Sequence, residues 1–261
     1  GLVNTRAIQH NLDWVWPWWV QQQFDPSSDA FVPRAFSITH VNLTHRNWTA
    51  VGLPDVEQMP VVDPRGLVTP IFDGWSVDAW VVPEEGKALL PSCVAEVAQE
   101  LACETGPVVS THVAERGLSL TRRVEAVWEG GEATCRERIE AHADRPAHLV
   151  LAIRPVNPEG VSFIHRIDAD ETGERILINE EHAVTTDRPA DRVAMSNYHE
   201  GDVLQRLLIA EDNRAVICDV GMATAAAFYR ITPNQPTELN VNLPMSDPAV
   251  SKSTEPTTRL G

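Results

Sequence analysis

Positive charge is scarce in this chain. Its 261 residues carry 21 Lys+Arg against 37 Asp+Glu, a formal net charge of −16, and Lys87 and Lys252 are the two lysines. So acidic a chain lacks the positive footprint of a phosphate-backbone binder, and nucleic acid is not an expected partner. Long apolar runs are also missing. Stretches such as Trp14–Val20 fall short of the ~20 residues a membrane-spanning helix needs, so no membrane is expected either. No basic-then-apolar signal segment opens the chain, and Gly1 in place of an initiator Met is expected of a processed or cut-down product. Cysteine is sparse: Cys93, Cys103, Cys135 and Cys218 are far apart, with no C-x-x-C pair. That spacing predicts reduced, mostly buried thiols and a cytoplasmic setting rather than a disulfide or zinc framework.

Catalytic signatures are absent as well. The chain has no G-x-S-x-G elbow, no G-x-x-x-x-G-K-[ST] phosphate loop, no G-x-G-x-x-G and no H-E-x-x-H, so no catalytic residue, metal ligand or cofactor is assigned. His182 follows Glu180-Glu181 and His199 precedes Glu200-Gly201-Asp202; a histidine beside acids in an acidic chain reads first as a solvated loop residue.

What remains is an ordinary globular composition, 43% hydrophobic and 22% charged, of a length that suits one large β domain. Up to Pro91 the prolines recur too often for long helices, and irregular extended segments with short strands are expected, the clearest being Trp75–Val82. In Ser92–Cys103, the residues Val94, Val97, Ala98 and Leu101 fit a 3.6 period behind a possible Ser92 cap, so that segment is ambiguous. From Val108 onward strands follow one another. Gly130-Gly131 predicts a two-residue turn joining Ser119–Trp128 to Glu132–Ala141. In that register residue 128 faces 133, 126 faces 135, 124 faces 137 and 122 faces 139. Leu120, Val124, Cys135 and Ile139 then share an apolar face, Arg123, Glu125, Arg136 and Arg138 the opposite one. Arg122 and Glu137 fall on the apolar face as diagonal neighbours and must pair or reach a rim, because an isolated buried charge costs several kcal/mol.

Ala147–Ile153 is nearly all apolar and predicts a central strand covered on both sides. Shorter strands are expected at Ser162–Asp168, Arg175–Ile178, His182–Thr186, Arg192–Ser196, Ala215–Val220, Thr224–Ile231 and Glu238–Leu243, with Val203–Ala210 either a helical turn or a further strand. Many short strands joined by turns argue for an all-β fold, a large antiparallel β-sandwich with few short helices. The expected boundaries are a sandwich over residues 1–245 and a polar linker or tail over 246–261.

The most informative stretch reads Gln9–Asp25, with four tryptophans between positions 14 and 19, followed by His45-Arg46-Asn47-Trp48. Pro17 favours an extended path that puts Trp14, Trp16 and Trp18 on one side and Val15 and Trp19 on the other. Three readings stay open for the indoles: core, an interface to another domain, or a stacking platform for sugar rings flanked by hydrogen-bonding side chains. The candidate carbohydrate-binding or domain-interface residues are therefore Trp14, Trp16, Trp18, Trp19, His45, Arg46 and Trp48.

Four stretches together resemble the N-terminal β-sandwich domain of bacterial glycogen-debranching glycoside hydrolases, the amylo-α-1,6-glucosidase-like group. They are the Trp-rich opening with His45-Arg46-Asn47-Trp48, the run Leu149–Gly160, Gly201-Asp202-Val203, and Ala223–Leu243 with Pro244. The resemblance implies a large sandwich that precedes an (α/α)6 helical barrel, the barrel carrying the catalytic carboxylates. It implies a non-catalytic accessory domain, inactive alone, whose partners are that catalytic barrel of the same polypeptide and possibly an α-glucan oligosaccharide. Two alternatives stand beside it. One is a stand-alone carbohydrate-binding module using exposed Trp. The other is a mutarotase-like sugar-modifying enzyme, for which His165 or His199 with Glu159 or Glu200 are nominal candidates.

Overall fold

The structure is a computed structural model and describes residues 14–28, 48–71, 73–158, 160–209 and 211–245. The expected 246–261 tail and the candidates His45 and Arg46 lie outside the described residues.

Eighteen strands are described. The first four are β1 (Thr49–Ala50), β2 (Val61–Val62), β3 (Val68–Thr69) and β4 (Ser76–Pro83). Four longer ones follow: β5 (Ala98–Ala102), β6 (Val108–Glu115), β7 (Leu118–Glu129) and β8 (Glu132–Ala143). The middle of the chain forms β9 (Ala147–Arg154), β10 (Val156–Asn157), β11 (Gly160–Val161), β12 (Arg166–Ala169), β13 (Arg175–Ile178) and β14 (His182–Thr186). The last are β15 (Arg192–Ser196), β16 (Ala215–Ile217), β17 (Thr224–Ile231) and β18 (Thr237–Pro244). A seven-stranded sheet runs β1-β2-β3-β4-β9-β17-β15, and a nine-stranded sheet runs β16-β12-β13-β14-β18-β8-β7-β6-β5. All pairings within both are antiparallel. The fold is the all-β sandwich expected.

The β7–β8 hairpin has the register the turn dictated, with Trp128 opposite Ala133, Ala126 opposite Cys135, Val124 opposite Glu137 and Arg122 opposite Ile139. Gly130 and Gly131 both take positive φ, 60° and 88°, which glycine alone adopts without a Cβ penalty. Leu120, Val124, Cys135 and Ile139 enter the interior with Val77, Ala79 and Val81 of β4 and Leu149, Leu151 and Ile153 of β9. The other side of the hairpin is wet, and there Arg136 pairs with Glu125 at 2.9 Å and Arg138 with Glu238 at 2.7 Å. The strand β9 lies between β4 and β17. Its other face places Val150 and Ala152 in a second apolar layer with Trp80, Val82, Ala226 and Phe228. A strand buried on both faces has no need of alternation, and this is why Ala147–Ile153 reads as one apolar run.

Two segments left open by the sequence are resolved. Beyond the short 3₁₀ turn Pro91–Cys93, the segment over Val94–Cys103 is not helical, because residues 98–102 pair with β6 as the edge strand β5. Its 3.6 period reflects a mostly exposed edge that needs no apolar face. For Val203–Ala210 the helical alternative is the one found, a 3₁₀ turn over Val203–Arg206 in which the cap side chain of Asp202 accepts the Leu204 amide.

Candidate functional site

Pro17 does not hold the opening in an extended path. It sits at the entrance of a short helix, α1 (Trp18–Gln21), the position where a missing N–H costs nothing. The indoles are divided accordingly. Trp14 and Trp16, two residues apart on the extended part, stack at 5.7 Å with 25° between planes. Trp19 turns inward, and these three are only 4%, 5% and 2% exposed. With Val20, Leu67 and Val156 they form a small apolar cluster against Tyr198 and Met222. Trp18 is half-buried, with the Arg65 guanidinium 5.3 Å over its ring. Trp48 is half-buried too, its indole nitrogen shut away from water without a partner.

What holds this segment down is a buried ion pair that the sequence reading did not single out. Arg154, the last residue of β9, makes a two-pronged contact with Asp202, its Nη2 lying 2.6 Å from Oδ2. Both side chains are almost wholly buried. The pair also satisfies the backbone of Val15. The Val15 amide donates to Asp202 Oδ2 at 2.7 Å, and Arg154 Nη2 donates to the Val15 carbonyl at 2.7 Å. The guanidinium is flanked by the indole faces of Trp14 at 5.7 Å and Trp80 at 5.4 Å, so its charge meets π faces where water would otherwise be needed. Next to it the Val203 amide donates to Thr224 Oγ1 at 3.1 Å. Residues from the Trp-rich opening, Leu149–Gly160, Gly201-Asp202-Val203 and Ala223–Leu243 thus meet at one point. The signal that would have exposed the clamp in the sequence is a lone Arg ending an apolar strand, together with an Asp in cap position.

A second buried charge cluster joins the first. Arg122 Nε donates to Glu137, its Nη2 donates to the Val77 carbonyl at 3.1 Å, and its Nη1 lies 3.4 Å from Asp78 Oδ1. The expected Arg122–Glu137 pair is therefore present. Asp78 Oδ2 accepts from the Trp80 indole at 2.9 Å, and the Trp80 ring in turn carries Arg154. Nearby, Asp63 Oδ1 accepts the Arg65 and Leu67 amides, while its Oδ2 is buried without a partner. Burial pushes the Asp63 carboxyl up to about 6, against those two hydrogen bonds, with the Asp78 charge adding to the rise.

The other candidates are dispersed. His199 Nε2 lies 3.0 Å from Asp219, whereas Glu200 pairs with Arg206. His165 contacts the Cys218 carbonyl through Nδ1, and Glu159 lies outside the described residues. All four cysteines are free, but only Cys135 and Cys218 are buried. Cys93 and Cys103 are exposed beside and beyond the edge strand β5. Among the described residues no three His, Cys, Asp or Glu side chains gather as a metal-ion set, and no helix is long and apolar enough to cross a membrane. A shallow apolar depression of about 280 Å³ lies where Leu208 and Ile209 overhang Val82, His148, Arg192 and Phe228. A polar one of about 290 Å³ lies beside the β7–β8 turn, lined by Glu129, Glu132, Thr134, Thr185 and Asn242 among others.

No protein-family profile matches the sequence, and no curated protein matches it. Among solved structures, the fold is similar to part of a bacterial glucoamylase complexed with acarbose. That likeness has a TM-score of 0.48 and 11% identity, over 74% of this chain and 30% of the other. It is also similar to part of a putative kojibiose phosphorylase from the human microbiome, with a TM-score of 0.37 and 7% identity, over 65% of this chain and 22% of the other. The chain spans less than a third of either of these proteins.

Proposed function

We propose that this chain is a non-catalytic β-sandwich domain of a glycoside hydrolase that acts on α-glucans, of the glycogen-debranching kind. In that role it packs on a catalytic helical barrel of the same polypeptide and shapes the mouth of its cleft. The observation that supports the reading is the convergence at Arg154–Asp202. The stretches that carry the family resemblance are separated by up to 187 residues, as Val15 and Asp202 are, yet they build one structural device. That device straps a Trp-rich segment across the outer face of the seven-stranded sheet. It leaves Trp18 half-buried, and Leu208 and Ile209 exposed at the rim of the covered face.

The chemistry belongs to the barrel. There one carboxylic acid protonates the leaving oxygen and a second carboxylate activates water or attacks directly. The buried acids of this chain serve otherwise, with Glu137 and Asp202 tied to arginines.

The test has two arms. The purified chain, assayed on maltooligosaccharides and on α-1,6-branched dextrin, is expected to release no sugar. The longer polypeptide, assayed with residues 14–245 deleted, is expected to lose soluble α-glucosidase activity. Steady hydrolysis by the isolated chain overturns the proposal, and so does full activity of the deleted polypeptide.

A further inference from the structure

With Trp14, Trp16 and Trp19 buried, those three indoles offer no stacking surface to a sugar, but another aromatic surface exists. Phe163 is 63% exposed, with Ile217 at 68% and Val220 at 41%. The His165 ring stacks against Phe163 with centroids 6.1 Å apart and 23° between planes, so the imidazole backs the phenyl ring and the pair forms an aromatic shelf. The shelf is built, not incidental. Asn179, held at φ +51°, clips its backbone on both sides, donating to the Phe163 carbonyl at 3.0 Å and accepting the His165 amide at 2.8 Å. The buried Ile164 between them is bridged to Met222. Gly221 forms the floor: a Cβ there would stand 2.7 Å from Phe163 Cδ1 and 3.1 Å from His165 Cε1, so both rings lie directly on its backbone.

The polar rim of the shelf comes from the same loop. His165 Nδ1 lies 3.1 Å from the Cys218 carbonyl. A carbonyl only accepts, so Nδ1 carries the proton and Nε2 is the acceptor of the neutral ring. Asp219 Oδ1 takes both His199 Nε2, at 3.0 Å, and the Val220 amide, at 3.0 Å. The hydrogen bond from His199 holds the Asp219 carboxyl below the usual carboxylate range, so at neutral pH it is an anionic acceptor. Flat rings answer the C–H face of a pyranose, and acceptors at their edge answer its hydroxyls.

We infer that the Phe163–His165 shelf, with Asp219 and His199 at its rim, is a surface binding site for an α-glucan oligosaccharide. The choice of α-glucan rests on the function proposed above; the choice of a pyranose rests on the rings and rim alone. A protein partner is disfavoured by the size of the apolar area, three side chains bounded by two histidines and an aspartate.

The test is affinity electrophoresis in gels containing soluble glycogen, with calorimetric titration of maltoheptaose and cellohexaose. The wild-type chain is expected to be retarded by glycogen and to bind maltoheptaose. Phe163→Ala is expected to weaken binding about tenfold, Phe163→Trp to retain it, and Asp219→Asn to weaken it by a smaller factor. Trp128→Ala, which removes an exposed indole near the turn of the β7–β8 hairpin, is expected to change nothing. Thermal melts of each variant control for folding, and because Phe163 is largely exposed they should match wild type. No binding to either oligosaccharide overturns the site while leaving the domain-packing proposal standing. Binding to cellohexaose alone overturns the α-glucan assignment here and in the proposed function. Binding lost in Trp128→Ala but not in Phe163→Ala also overturns the site.

Discussion

The two sheets present opposite kinds of outer surface. Outside the nine-stranded sheet, Arg123, Arg136, Arg138 and Glu140 stand in water and meet neighbours across strands. Outside the seven-stranded sheet, Trp80, Val150, Ala226 and Phe228 are as buried as the interior, beneath Val15, Val203 and Leu207. A face that dry needs a lid, and the lid needs its own backbone polar groups satisfied where no water reaches. The Arg154–Asp202 pair performs that task for Val15. The polar face is tolerant, whereas the apolar face depends on a few irreplaceable contacts.

The largest break in this contrast is expected at the clamp. Arg154→Ala leaves Asp202 buried and unpaired and strands the Val15 carbonyl, costing about 3–5 kcal/mol in urea unfolding. If it costs less than about 1 kcal/mol, comparable with an exposed pair, the lid is not held by this residue. Fluorescence should shift to the red in the same variant as Trp14 and Trp16 become wet.

Next in size is the pH dependence contributed by Asp63. The usual carboxyl of 3.8 is raised to about 6 on folding. Between those values the folded chain keeps a proton that the unfolded chain has released, so stability falls as pH rises from about 4 to 6. Above about 6 the loss is complete, on the order of 3 kcal/mol. Asp63→Asn preserves the acceptor for the Arg65 and Leu67 amides and removes the charge. It should therefore raise stability by about 1–3 kcal/mol at pH 8, with the gain shrinking toward pH 4. A gain independent of pH would show that Asp63 does not titrate in this window.

Smaller effects belong to the wet side. Gly131→Ala, at φ 88° with open space around it, should cost about 1–2 kcal/mol from backbone conformation alone, read as a lower midpoint in thermal melts. A double-mutant cycle on Arg136 and Glu125, both partly exposed, should return less than about 1 kcal/mol of coupling and fade in high salt. A coupling as large as the clamp's would erase the contrast between the two faces.

The sequence discloses the elements whose information is local. Gly130-Gly131 determines a register, the register places Arg122 beside Glu137, and the structure pairs them. The unbroken run at Ala147–Ile153 announces burial on both faces. Strands β13, β14, β15 and β17 begin and end where their turn residues require. The opening is harder, because the direction each indole takes is decided by partners far along the chain: Val15 by Asp202, Trp14 and Trp80 by the guanidinium between them. Pro17 compounds the difficulty, since the same residue that blocks a helix interior also starts one. Val94–Cys103 misleads for the opposite reason. Its pairing with β6 comes from backbone hydrogen bonds, which leave no mark on side-chain periodicity. The Phe163 shelf is invisible in sequence because its floor, Gly221, is 58 positions from Phe163 and 56 from His165.

The clamp also governs the order in which the molecule can be assembled. Val15 leaves the ribosome 187 residues before Asp202, and the β17 strand that walls β9 follows after that. Until then the tryptophans between positions 14 and 19 wait without their partners, as greasy, sticky surface of the kind that recruits chaperones. Closing so distant a contact makes for slow folding, and a nascent chain stalled before residue 202 holds its Trp-rich segment in the open.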